Sequence, residues 1–63
     1  MDKNQIENWL INLYNTANEV AAKYGDDVVK SILFRYNAAS IDELHPSDYE
    51  NVFGDLYLIA TDN

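Results

Sequence analysis

The chain of 63 residues has no cysteine and one histidine. It therefore lacks disulfides and thiolate zinc sites, and a single imidazole excludes most histidine-rich metal sites. Four basic side chains oppose eleven acidic ones, which gives a formal net charge of -7 at pH 7. Binding to nucleic acid or to an anionic membrane needs clustered Lys and Arg, so this composition argues against both. We expect no cofactor, no direct nucleic-acid ligand and no membrane partner.

Long apolar runs are also absent. The longest fall far short of the roughly 20 residues that a membrane span requires. The opening residues, Met1-Asp2-Lys3-Asn4, lead directly into an amphipathic stretch without the apolar core of a signal peptide. We therefore expect a cytoplasmic location. The lack of cysteine agrees with this, because small secreted domains usually supplement a thin core with disulfides.

Helical periodicity dominates the first third of the chain. Apolar residues recur every three or four positions from Asn4 to Tyr24, which predicts an amphipathic helix over about 4–24. Asn4, with Glu7 three positions later, is the predicted cap. Gly25 is the predicted stop, because glycine adopts positive φ without steric cost.

A second helix is predicted over about 27–36. Asp26 or Asp27 is expected to cap it, and Asn37 to close it. Its apolar residues extend around most of the circumference, which is typical of a helix packed between partners.

Two S-x-x-E motifs follow, Ser40-Ile41-Asp42-Glu43 and Ser47-Asp48-Tyr49-Glu50. Each is a capping-box sequence, so we expect a one-turn helix at about 41–44 and a longer helix over about 47–61. Pro46 supports this division, because it disfavours helical geometry in the preceding residue and suits the first turn of the next helix. Gly54 would weaken the last helix by about 1 kcal/mol relative to Ala. No strand pattern is visible, so residues 1–63 are predicted to form one all-α, three-helix domain.

Most aromatic side chains lie on the predicted core faces. We expect core packing for five of them: Trp9, Tyr24, Tyr36, Tyr49 and Phe53. Four apolar residues project away from these faces or stand at their margins, and they are candidates for contact with a partner: Ile11, Phe34, Tyr57 and Leu58.

Charge is distributed unevenly. Residues 1–36 hold five acidic and four basic side chains, whereas residues 37–63 hold the other six acidic ones and no Lys or Arg. The spacing of seven between Asp48, Asp55 and Asp62 predicts one line of carboxylates along the last helix. This surface either keeps the domain soluble or docks a basic partner. Its candidate contact residues are Asp42, Glu43, Asp48, Asn51, Asp55 and Asp62.

Catalytic and metal-binding motifs are not evident. Asp42-Glu43 and the pair Asp48 and Glu50 are the nearest to paired carboxylates, but a short domain offers no deep cleft to separate their pKa values. His45 lacks metal-ligand spacing with other donors, and the acidic segments do not match a calcium loop. We therefore expect a protein that is not an enzyme.

The second half of the chain also resembles a known group of proteins. The segments Arg35-Tyr36-Asn37-Ala38, Ile41-Asp42-Glu43-Leu44-His45-Pro46 and Val52-Phe53-Gly54-Asp55-Leu56 are similar to short, acidic, uncharacterised proteins carried by prophages and conjugative elements of low-GC Gram-positive bacteria. The resemblance implies a bacterial cytoplasm and a mobile-element setting. Small acidic proteins in that setting sometimes inhibit host defence or DNA-processing machinery.

Three functional hypotheses remain open at this point. The leading one is a non-enzymatic protein-interaction domain, in its most specific form an inhibitor that imitates nucleic acid and occupies a basic protein. The alternative is a helical self-association module, such as a homodimer, that uses the four outlying apolar residues. A helix-turn-helix DNA reader is a poor match, because its last helix would bring acids and no Arg or Lys to the major groove.

Overall fold

The computed structural model describes residues 1–62 and confirms a small all-α domain, with no strand in that range. Helix α1 spans Lys3–Tyr24, α2 spans Asp26–Phe34 and α3 spans Tyr49–Ala60. The connection between α2 and α3 contains two 3-10 turns, Ile41–Glu43 and Pro46–Asp48, where one short helix was expected. The second turn occupies the predicted start of the last helix, which begins at Tyr49 instead.

The cap of helix α1 lies two residues before the predicted one. The side chain of Asp2 accepts a hydrogen bond from the Gln5 backbone N–H at 2.9 Å, and the Asp2 N–H donates to Gln5 Oε1 at 3.0 Å. This reciprocal pair is a capping box, and it satisfies two backbone donors that the first helical turn leaves free. The prediction of Asn4 as the cap was wrong, because Asn4 already lies inside the helix.

A single residue, Gly25, separates α1 from α2. Its φ of 96° is unfavourable for a residue with a Cβ, and its N–H bonds the Ala21 carbonyl at 2.8 Å. Gly25 therefore ends α1 as predicted. It also occupies the cap position of α2, so the prediction that Asp26 or Asp27 caps this helix was wrong. Both acids lie in the first turn, where their negative charges interact favourably with the positive end of the helix dipole.

Helix α2 ends at Phe34, short of the predicted Tyr36, and a turn follows. Asn37 has a φ of 59°. Its N–H donates to the Phe34 carbonyl at 3.0 Å, and the Ala38 N–H donates to the Leu33 carbonyl at 3.2 Å. These bonds form a Schellman motif, and Asn is the residue after Gly that tolerates its left-handed position best. Closure by Asn37 is therefore confirmed.

Neither S-x-x-E motif forms a capping box. Ser40 precedes the first 3-10 turn without a side-chain bond to it, and the Glu43 N–H donates instead to the Ser40 carbonyl at 3.1 Å. Ser47 lies inside the second 3-10 turn, which Pro46 begins. The capping predictions were wrong because the first motif opens a 3-10 turn and the second lies inside one, and backbone bonds close both turns.

The core lies where the three helices meet. Leu13 and Val20 of α1 and Val52 and Leu56 of α3 are fully buried. The other buried apolar residues come from all three helices and the α2–α3 connection: Ala17, Ile32, Leu33, Ala38, Ile41, Leu44, Tyr49 and Ala60. One helix face each from α1, α2 and α3 thus shares a single core, as helical periodicity predicts.

Contacts at two levels show that α1 and α3 run in the same direction. Near the start of both helices the ring of Trp9 packs edge-on against Phe53, with centroids 5.8 Å apart. Near the end of both, Lys23 Nζ donates to the Ala60 carbonyl at 2.8 Å. The lysine places a cation at the negative end of the α3 dipole. The bundle is therefore arranged up, down, up, with α2 as the reversed helix.

Four of the five aromatic core predictions agree with the structure in part or in full. Tyr49 is buried, and Trp9, Tyr36 and Phe53 are half-buried against the core. The prediction for Tyr24 was wrong, because 49% of this side chain is exposed. Tyr24 is the last residue of α1, one position beyond the lysine that reaches the end of α3.

Two leucines of α3 that differ in burial provide a test of which residues form the core. Leu56 is fully buried, whereas Leu58 is 70% exposed. We expect Leu56→Ala to lower the free energy of unfolding by about 2–5 kcal/mol, because it removes buried methyl groups and leaves a cavity. Leu58→Ala should change it by less than about 0.5 kcal/mol. Urea unfolding followed by circular dichroism measures both, and equal losses would contradict this assignment of the core.

The two glycines should respond in opposite ways to alanine. Neither site has an atom within 4 Å of an added Cβ, but Gly25 has a φ of 96° whereas Gly54 lies within α3. We expect Gly54→Ala to stabilise the domain by about 1 kcal/mol, because alanine favours helix. Gly25→Ala should destabilise it by about 1 kcal/mol or more, since φ becomes strained. Thermal unfolding compares both variants with the wild type, and stabilisation by Gly25→Ala would be the contrary result.

Candidate protein-binding surface

The negative charge of the second half is not neutralised within the fold. Among residues 1–62 the one ion pair within 4.0 Å joins Lys23 and Glu19, both on α1, at 3.9 Å. The six carboxylates between residues 37 and 62 therefore have no Lys or Arg partner at that distance in the described chain. We refer to these six side chains as the acidic set: Asp42, Glu43, Asp48, Glu50, Asp55 and Asp62.

The predicted line of Asp48, Asp55 and Asp62 needs a correction. Only Asp55 lies within α3. Asp48 is the last residue of the preceding 3-10 turn, and Asp62 follows the helix. Asp48 and Asp55 are also half-buried, whereas Asp62 is exposed. The three carboxylates therefore do not form one exposed line along a single helix.

Asp55 is bonded to the turn that follows α2. Its Oδ2 accepts a hydrogen bond from the Tyr36 hydroxyl at 2.7 Å. This bond, together with burial and the negative charges of Asp55 and Asp48, raises the pKa of Tyr36, and Arg35 opposes the rise.

Asp42 is bonded to α1 in the same way. The Tyr14 hydroxyl donates to Asp42 Oδ1 at 2.5 Å, across the junction of α1 and the first 3-10 turn. The hydrogen bond, with smaller contributions from burial and from the charge of Asp42, raises the pKa of Tyr14. Asp42 and Asp55 are thus attached to different elements, α1 and the turn after α2. Glu43 and Asn51, the remaining predicted acidic-surface residues, are exposed.

These two tyrosine–carboxylate bonds were not predicted from the sequence. The partners are 28 and 19 residues apart, so neither pair has a local sequence signature. Tyr36 was assigned to the core, and Tyr14 to no role. A tyrosine with an apolar ring and a polar tip commonly meets a hydrogen-bond partner where a core reaches solvent, which is the position of both side chains.

All four predicted apolar contact residues are exposed, but they do not all lie together. The exposed fractions are 57% for Ile11, 80% for Phe34, 52% for Tyr57 and 70% for Leu58. Ile11 belongs to α1 and Phe34 to the end of α2, where it borders a shallow depression with Asp27 and Lys30. Only Tyr57 and Leu58 share an element, α3.

Tyr57 continues a row of aromatic rings. It stacks on Phe53 with centroids 5.8 Å apart and an interplanar angle of 28°, and Phe53 in turn meets Trp9 edge-on. This row connects the exposed ring of Tyr57 to the half-buried contact between α1 and α3. Tyr57 is therefore held in a defined orientation at the surface, since stacked rings restrict its rotation.

The clefts of the domain are shallow. One groove, with a volume of about 220 Å³, lies between α1, α2 and the start of the α2–α3 connection. Its lining includes Tyr14, Leu33 and Ile41, together with the charged residues Asp26 and Lys30. In residues 1–62 no three His, Asp or Glu side chains come together as metal ligands. None of the helices described is long and apolar enough to cross a bilayer.

Comparison of the chain with models of protein families, with curated proteins and with solved structures finds no match. The resemblance to mobile-element proteins is therefore neither supported nor contradicted, and it stays a prediction.

The two tyrosine–carboxylate bonds predict late ionisation of two of the five tyrosines. Tyr14 and Tyr36 have folded-state pKa values raised above the ordinary value of 10.0. Their contribution to stability is fully present below pH 10 and is lost as pH rises through the folded-state values, because the unfolded chain releases these protons first. Tyrosinate absorbance during alkaline titration measures the effect.

The matched variants are Tyr14→Phe and Tyr36→Phe. Each should remove one late-ionising group from the titration and leave the rest of the curve in place. Each should also lower the free energy of unfolding at neutral pH by about 0.5–1.5 kcal/mol, the usual net value of one hydrogen bond. A wild-type titration in which all tyrosines ionise together at the ordinary pKa would contradict both bonds.

Proposed function

We propose that this protein is a non-enzymatic interaction domain that binds a basic partner protein through the acidic side chains of its second half. The observation that supports the proposal is the absence of any Lys or Arg partner for the acidic set among residues 1–62. A surface of one charge sign, left uncompensated by the fold, attracts a partner of the opposite sign and accelerates its association.

The tyrosine bonds favour such binding without neutralising the charge. A carboxylate accepts several hydrogen bonds, so Asp42 and Asp55 keep free lone pairs after each accepts one from a tyrosine hydroxyl. The bond fixes the carboxylate in one orientation. A partner's guanidinium or ammonium group then meets an acceptor that is already placed, which reduces the entropy lost on binding.

The more specific form of the proposal is an inhibitor that imitates nucleic acid. Carboxylates near the α2–α3 connection and along α3 would then occupy the groove in which a basic protein binds DNA or RNA. The setting is the cytoplasm of a bacterium that carries a mobile element, as the resemblance of the second half implies. This form predicts that duplex DNA and the domain compete for the same partner.

Charge removal tests the proposal. The variant Asp48→Asn, Asp55→Asn and Asp62→Asn keeps side-chain size and leaves an oxygen acceptor for the Tyr36 hydroxyl. We expect it to bind a partner captured from the source cells about tenfold more weakly at low salt, since three surface ion pairs contribute about 0.2–1 kcal/mol each. Binding by the wild type should also weaken as salt rises through the physiological range. Affinity is measured by titration of the purified partner.

The matched control carries Glu7→Gln, Glu19→Gln and Asp27→Asn. These residues are exposed and lie in the first half of the chain. The control therefore loses the same number of negative charges, three, from a different part of the domain. Its affinity should stay within about twofold of the wild type, since the net charge contributes only a long-range, screened attraction. Equal weakening in both variants would show that the acidic set has no specific role in binding. Unchanged binding in both would contradict the charge-based proposal altogether.

A further inference from the structure

The outward face of α3 carries an unpartnered apolar strip with acids at its N-terminal end and along one side. The helix turns by about 100° per residue, so Leu58 lies nearly opposite the buried face that holds Leu56 and Val52. Gly54 lies one turn before Leu58, and Tyr57 borders both on the side of the aromatic row. We call Gly54, Tyr57 and Leu58 the α3 strip.

Gly54 is not required by the fold. It lies inside a regular helix, its φ is not positive, and an added Cβ would have no atom within 4 Å. Close packing within the domain therefore does not explain this glycine. Because glycine costs a helix about 1 kcal/mol relative to alanine, its presence weakens α3 without improving the core. Because glycine has no side chain, it leaves a low point in the strip, a shallow depression where the backbone of another chain can approach.

Negative charge borders the strip at its N-terminal end and along one margin. Glu50 lies one turn before Gly54, at the start of the strip, and Asp55 lies on the margin next to Leu58, toward Tyr36. No Lys or Arg occurs anywhere after residue 36. A partner that covers Leu58 must therefore bring its apolar side chains to the middle and cations to the edges.

We propose that the α3 strip binds an amphipathic helix of a partner protein, with an apolar face flanked by Lys or Arg. Such a helix places apolar anchors at intervals of three and four residues on Leu58 and Tyr57, and Gly54 lets it lie close. The inference rests on the proposed function and adds the form of the partner. A second copy of this chain fits less well, because its acids would face Glu50 and Asp55.

The probe is a synthetic peptide about five turns long, composed of leucine and lysine with the leucines on one helical face. A second peptide has the same composition in scrambled order. Fluorescence anisotropy of the labelled peptides gives affinities for the folded protein, and backbone amide shifts map the contact. We expect the patterned peptide to bind about tenfold more tightly than the scrambled one, and the shifts to centre on α3.

Two variants change the strip, and each has a matched control. Leu58→Ser removes the exposed leucine, and Ile11→Ser removes an exposed apolar residue from α1. Gly54→Gln fills the low point, and Ser31→Gln adds the same side chain to an exposed position of α2. Leu58→Ser and Gly54→Gln should each weaken patterned-peptide binding about tenfold. Ile11→Ser and Ser31→Gln should change it by less than about twofold, since neither residue belongs to the strip.

Gly54→Gln also distinguishes binding from folding. It should raise the thermal midpoint, because glutamine favours helix over glycine, while it weakens binding. Equal binding of the patterned and scrambled peptides, or equal effects of strip and control variants, would overturn the inference. A dimer of the protein alone that Leu58→Ser abolishes would also overturn it. If charge removal weakens partner binding but Leu58→Ser does not, the proposed function stands and this inference fails.

Discussion

The packing of the buried stripe of α1 against both other helices is the constraint on which the rest of the structure depends. A domain of this size buries only about 60% of the surface that its unfolded chain exposes, so it has one core and little reserve of stability. Leu13 and Val20 are fully buried at the centre of that core. Helix α2 and the α2–α3 connection close one side of it, and α3 closes the other.

Helix positions followed from the sequence, but helix ends did so only in part. The spacing of apolar residues along α1 and α3 reflects burial of one helical face, which any correct fold must satisfy. Caps depend on competition between neighbouring candidates. Asp2 prevails over Asn4 because Gln5 completes a reciprocal pair, and Gly25 takes the cap position from Asp26 because the two helices are directly joined. Predicting such outcomes requires the backbone geometry of both neighbouring elements.

The sequence predicted which residues the candidate surface contains, but it did not predict how they are arranged. The excess of acids after residue 36 can be counted in the sequence, and the exposure of Leu58 follows from its place opposite the core face. The bonds from Tyr14 to Asp42 and from Tyr36 to Asp55 join residues that are distant in sequence. They depend on how α1, α2 and the connection pack, and that information lies in no single segment. Asp42 and Asp55 are consequently held by different elements of the domain.

The direct junction at Gly25 has a consequence for how the chain reaches this structure. Because one residue joins α1 to α2, their association closes almost no loop, whereas docking of α3 also orders the longer segment that follows α2. The first two helices thus form a hairpin of local contacts, and the entropy of chain closure falls mainly on α3. The helix that displays the candidate binding surface is therefore also the one whose attachment to the domain has the greatest entropic cost.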